Sequence, residues 1–205
     1  MSFCVSRPIL INSQLSSYTK DTVHLRQSQL FVLMVNPSSL ASQLASCASH
    51  APFSFVPPEA RFEPEQGLSF PADIWSLGCS IWMILGQRPL FEDILATPDD
   101  ITAEQVDTLG ELPLRWWKKW EARHEYFDES GKPNQGRQVR SWDDRFEKHI
   151  QLPRQKAGIP GFDAEEKAAV MDMLRSMLSF EAEKRLTAQD IIKCEWIQKW
   201  ALPER

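Results

Sequence analysis

The sequence predicts a mainly α fold, and three observations carry that reading. An apolar run from Pro71 to Gly86 opens with a proline and closes with a glycine. Aromatic residues recur at three- and four-residue spacing between Pro113 and Phe127. Two helix-start pairs, Asp163 with Glu166 and Thr187 with Asp190, each precede an apolar stretch. No segment alternates strongly enough for a β-sheet, and no internal repeat is visible in the sequence.

Taken in order, the first fifty residues are Ser-rich and set Arg7, Lys20 and Arg26 against a single acid, Asp21. That composition suits a disordered polar tail with no core of its own, and it is also that of a mitochondrial presequence. Leu30 to Val35 is too short for a membrane span or a secretory signal, so neither membrane nor export is indicated. The folded part is expected to start near Ala51, giving a tail over 1–50 and a domain over 51–205. A first helix over Ala72 to Leu85 is apolar on every side apart from Asp73 and two serines, the pattern of a buried helix.

Glu92 to Glu111 then carries seven acids and no lysine or arginine, and reads as a local acidic surface. A second helix over Pro113 to Phe127 would dock Trp116, Trp117, Trp120, His124 and Phe127 on one face. Asp128 to Pro153 holds Gly131, Pro133 and Gly136 and reads as an inserted loop outside the core, anchored only by Val139, Trp142, Phe146 and Ile150. Ala168, Met171, Leu174, Met177 and Leu178 form the stripe of a third helix. A fourth carries Ile191, Ile192 and Trp196 and continues towards Trp200.

The 205 residues, 42% hydrophobic and 25% charged, suffice for one ordinary core. A net charge of -5 argues against a general nucleic-acid binder and makes a basic partner the easier match. Arg115-Trp116-Trp117-Lys118-Lys119-Trp120 invites a single-strand stacking reading, but tryptophans docked inwards beneath solvated lysines fit the helix better. The four cysteines, Cys4, Cys47, Cys79 and Cys194, form no C-x-x-C pair and lack clustered histidines, so no zinc site is expected. They read as reduced thiols of an intracellular protein, cytoplasmic or nuclear.

Three short motifs are more specific. Pro57-Pro58-Glu59-Ala60-Arg61-Phe62, Asp73-Ile74-Trp75-Ser76-Leu77-Gly78 and Lys184-Arg185-Leu186-Thr187 occur in the order of three protein-kinase landmarks. They resemble the A-P-E that ends the activation segment, the D-x-W-x-x-G that opens the central helix of the large lobe, and the late arginine before the last conserved helix. Over residues 55–203 the wording PPEARF, LSFPADIWSLG, ILGQRPLF and EWIQKWALPE is similar to Ser/Thr kinases of the SR-protein-kinase group, with Pro57 where alanine is usual.

The resemblance implies the lower part of a kinase large lobe, with the β-rich small lobe and the catalytic loop missing. It implies that Asp73 accepts hydrogen bonds from catalytic-loop backbone and that Glu59 pairs with Arg185. Pro58, Trp75 and Gly78 belong to the same structural landmarks. Without it, Asp73 would be an ordinary first-turn acid facing the helix dipole, and Glu59 and Arg185 two unrelated surface charges.

The sequence contains no G-x-G-x-x-G loop, no V-A-I-K lysine, no H-R-D and no D-F-G, and its first glycine is Gly67. No residue is therefore assigned to catalysis, cofactor binding or a metal, although ATP and magnesium are expected for the full-length family. The chain alone is expected to be inactive, as a fragment or truncated gene model of a Ser/Thr kinase. The alternative is a pseudokinase-like module or scaffold that docks basic, Arg/Ser-rich peptides, with Asp99, Asp100 and Glu104 as the contact residues. A chain too incomplete to fold stably is a third possibility, since the aspartate and its apolar neighbours would lack partners.

Overall fold

The computed structural model describes residues 52–92 and 94–202, all within one compact unit. Their α-helices are α1 (Pro58–Phe62), α2 (Phe70–Gly86), α3 (Pro98–Leu109), α4 (Leu114–Lys119), α5 (Arg123–Tyr126), α6 (Trp142–Phe146), α7 (Leu152–Lys156), α8 (Ala164–Met177) and α9 (Ala188–Lys193). Among the described residues there is no strand, only an isolated bridge between Phe127 and Pro133. The fold is thus mainly α. The expectations for residues 1–50, the disordered tail, the presequence, Cys4 and Cys47, lie outside the described residues. No helix among the described residues is long and apolar enough to cross a membrane.

α2 is the axis of the core. Pro71 near its start loses no helical hydrogen bond, and Gln87 ends it in a left-handed turn whose N–H reaches the Met83 carbonyl. Trp75, Ile81 and Trp82 are fully buried, while Phe70 and Met83 are exposed, so the helix is less enclosed than its composition predicts. Trp75 stacks on Phe91, and Trp82 meets Trp142 and Phe146 edge-on.

At the end of α2, Gly86 lies so close to the α6–α7 stretch that a Cβ there would fall 2.8 Å from the His149 carbonyl oxygen. Gly86→Ala should therefore destabilise by about 1–3 kcal/mol despite the better helix propensity of alanine. Thermal melting checks this. An unchanged midpoint would mean that the two segments part freely.

The stretch expected only as an acidic surface contains α3. Thr97 and Asp100 cap it reciprocally, at the same spacing as Thr187 and Asp190, and Ile101, Ala103 and Val106 turn inwards. Ala103 and Val106 join Phe62, Leu112, Trp116, Trp120, Phe127 and Phe180 in one cluster.

The helix expected over 113–127 is broken. α4 stops at Lys119, Trp120 is extended, and α5 follows. The break puts the Trp120 indole N–H 2.6 Å from Asp99 and its ring on Tyr126, while Arg123 caps the Trp120 carbonyl. Trp116, Trp120 and Phe127 are buried, Trp117 is half-buried, and His124, Lys118 and Lys119 are exposed.

The insertion is only partly a loop. Residues 142–156 are helical, as α6, a π turn over Glu147–Gln151 and α7, and they belong to the core. Trp142, Phe146 and Ile150 recur every four residues and are buried; Val139 is exposed and anchors nothing. Ser141 and Asp144 form the capping box that starts this stretch.

In α8 the stripe is shifted. Ala168 is exposed, and Val170 and Met173 join Met171, Leu174, Met177 and Leu178 inside. Asp163 accepts from the Glu166 N–H, and the Glu166 carboxylate takes the Trp196 indole N–H. α9 ends at Lys193, because Cys194 leaves helical backbone, and Glu195 begins a separate turn that passes into the π turn Ile197–Ala201.

Candidate functional site

Two arrangements stand out. The first joins the three motif segments. Arg185 is fully buried, and its two terminal nitrogens donate to both oxygens of Glu59 at 2.7 and 2.6 Å, across 126 residues of chain. It also donates to the carbonyls of Pro71, Ser179 and Phe180. Its guanidinium lies 5.0 Å from the Trp75 ring centre. One side chain thus ties α1, the start of α2 and the turn after α8 together, which is a structural rather than a chemical task.

Pro58, buried at the first position of α1, sets the approach of Glu59. Gly78 lets α2 close on α8, since a Cβ there would meet the Leu178 side chain at 3.0 Å. Asp73, one turn into α2, is half-buried; burial raises its pKa above the usual carboxylate range. It has no hydrogen-bond or ion-pair partner among the described residues.

The second arrangement is the acidic helix α3. Asp100, Glu104 and Asp107 follow one another at four- and three-residue spacing and so share a face. Each holds a donor. Asp100 caps Thr97 and accepts from the Tyr126 hydroxyl at 2.8 Å, and its pKa is lowered, mostly by the Thr97 hydroxyl. Burial, seconded by the Asp100 bond, pushes the Tyr126 pKa up to about 12.

Glu104 accepts from the Glu92 N–H at 2.7 Å and lies 3.4 Å from buried Arg145, whose pKa burial lowers. Asp107 takes two nitrogens of Arg137, at 3.0 and 2.5 Å, yet burial outweighs that guanidinium and raises its pKa. Beside this face Glu92 pairs with Arg140 at 2.8 Å, which lowers the Glu92 pKa.

Of the three acids singled out from sequence, Asp100 and Glu104 lie together on this face. Asp99 lies on the adjacent flank, where one of its oxygens accepts from both Trp120 and Arg61. Asp107 and Glu92 were not singled out. The four- and three-residue spacing of Asp100, Glu104 and Asp107 was the available signal, and it speaks only once the segment is known to be helical. Trp116 and Trp120 of the basic–aromatic stretch are buried, so their rings are not open for stacking.

The three ordered motifs thus meet at a buried arginine that clamps the segment before the central helix, and a second helix presents acids. The protein kinase domain family matches residues 39–197, well over half of the chain, and the chain belongs to that family. Serine/threonine-protein kinase spk-1 of Caenorhabditis elegans is 30% identical over 131 residues, covering 62% of this chain and 12% of its own length. Its namesake in Caenorhabditis briggsae is also 30% identical, over 11% of its length. A serine/threonine protein kinase of Aspergillus fumigatus is 24% identical, covering 61% of this chain and 30% of its own. The chain spans less than a third of the length of these relatives.

Proposed function

We propose that this chain contributes binding rather than phosphoryl transfer, and that its acidic α3 face docks basic, Arg/Ser-rich peptides in the manner of an SR-protein-kinase-like Ser/Thr kinase. The observation that carries the reading is the set of carboxylates on and beside α3, at Glu92, Glu104 and Asp107, each already facing a guanidinium of this chain. A surface that engages arginines internally has the charge and spacing to engage those of a partner. On the same reading the Glu59–Arg185 clamp keeps the lobe in shape. ATP and magnesium belong to the full-length family and are held by parts that these 205 residues do not carry.

Binding of a fluorescent Arg-Ser repeat peptide to the purified chain tests the docking. Asp100→Asn with Glu104→Gln should weaken it roughly tenfold, more at low salt than at high. Equal affinity for both proteins would sink the reading. Asp99→Asn adds to the loss but also removes the charge that pairs with Arg61 and weakens the acceptor of Trp120, so melting must be followed alongside. Magnesium-ATP should leave the melting midpoint unchanged; a saturable upward shift would show a nucleotide site and overturn the binding-only part.

A further inference from the structure

Two of the arginines seated on the acidic face, Arg137 and Arg140, come from a single stretch of this chain; the third, Arg145, belongs to α6. Residues 137–140, Arg-Gln-Val-Arg, have neither helical nor strand backbone and follow directly on the turn at Gly136, whose φ of 87° suits glycine. Arg137 grips Asp107, whose side chain is only 4% exposed, and its guanidinium also lies 4.8 Å from the Phe127 ring centre. Three residues on, Arg140 grips Glu92 in a half-buried pair, at 37% and 31% exposure. Beneath the stretch a hollow of about 180 Å³ remains, reached by Asp100, Glu104, Tyr126 and Gln138.

We propose that residues 137–140 are a built-in ligand of the acidic face. They fill it as an arginine-bearing peptide would, so that an external basic segment binds only by displacing them. The proposal rests on the docking reading above and names the regulation of that same face.

Three physical points support it. The contacts are those that extended arginine peptides make with carboxylates, namely a paired fork on one acid and a single charge-assisted bond on the next. A tethered ligand acts at an effective concentration in the millimolar range, so even a weak pair of contacts keeps a free peptide out. Seated, the stretch also offsets charge: Arg137 answers Asp107 and Arg140 answers Glu92, while Arg145 of α6 stays beside Glu104 in either state. The face therefore attracts a basic partner strongly only once the stretch has left it.

The closed state has a weak side and a strong side. Arg140 meets Glu92 through one bond in a half-exposed pair, while Arg137 is held by two bonds to its buried acid and by an aromatic ring. Release begins at Arg140.

The probe is a labelled peptide with the sequence of residues 134–141, Asn-Gln-Gly-Arg-Gln-Val-Arg-Ser, titrated by fluorescence anisotropy at low salt into the full chain and into Arg137→Gln/Arg140→Gln. The double variant should bind at least tenfold more tightly than the unaltered chain, and 0.5 M salt should abolish the difference. Binding of equal strength to both would overturn the proposal and leave the docking reading standing. No binding to either at saturating protein would instead sink the docking reading itself. Should the double variant fail to fold, Arg140→Gln alone decides: it removes only the more exposed of the two pairs, and it should still bind the peptide about threefold more tightly. No gain there overturns the proposal.

Discussion

Replacing Arg185 by methionine, which keeps the length and removes the charge, should lower the unfolding free energy by about 3–5 kcal/mol. The loss arises from what the substitution leaves behind. Glu59 is 14% exposed and would keep a carboxylate with neither of its two guanidinium bonds. The carbonyls of Pro71, Ser179 and Phe180 would lose a donor as well. Each such group retains its desolvation cost after its partner has gone.

Since a domain of this size is stable by only about 5–15 kcal/mol, the variant should unfold at a markedly lower urea concentration, and the urea midpoint is the readout. The control is the double variant Glu59→Leu/Arg185→Met. Removing both charges spares the orphaned carboxylate, so the double variant should be more stable than Arg185→Met alone. A single variant within 1 kcal/mol of the unaltered chain would show that the clamp is incidental to the fold.

This clamp also marks the boundary of what the sequence could say. Its two ends lie 126 residues apart, and no periodicity or spacing links them; only the resemblance of their motifs to kinase landmarks brought them together. α2 was legible because a long apolar run with a proline at one end and a glycine at the other is a local signal. α8 and α9 were legible in their starts, since capping is local, but not in their ends, where Cys194 breaks the chain without any breaker residue.

α3 was hidden by its acids, which made a half-buried helix look like solvated surface although Thr97 and Asp100 announced it. Residues 142–156 were hidden by their neighbours, because Gly131, Pro133 and Gly136 coloured the whole stretch as loop. The break at Trp120 could not be read at all, since it follows from Asp99 and Tyr126 drawing one indole out of helical register. The same holds for the acidic face. Its acids are clustered in sequence, but the arginines that meet Asp107 and Glu92 come from 30 and 48 residues away.

The second large effect is expected from acid. His149 is 2% exposed; its Nδ1 is buried without a hydrogen-bond partner, and its Nε2 lies 3.7 Å from Glu92. Burial lowers its pKa from 6.5 to about 4. Glu92 pulls the other way, and the guanidiniums of Arg145, Arg88 and Arg140 add to the fall. The folded chain therefore holds a neutral ring. Above pH 6.5 both states are neutral there and the full stability is present. Between 6.5 and about 4 the unfolded chain takes up a proton that the folded chain refuses, so stability falls with pH, and below about 4 this group causes no further loss. Integrated over that window the loss is about 3 kcal/mol.

Urea midpoints at pH 7.5, 6.5 and 5.5, for the unaltered chain and for His149→Gln, isolate the imidazole from the carboxylates. Asp107, whose pKa is raised, acts in the opposite sense, and Glu92, whose pKa is lowered, adds its own acid loss only nearer the carboxylate range. The unaltered chain should lose little from pH 7.5 to 6.5 and clearly more from 6.5 to 5.5, and His149→Gln should lose much less over the second step. Equal slopes would mean that the ring takes up its proton at the same pH in the folded and unfolded chain, with Glu92 offsetting burial.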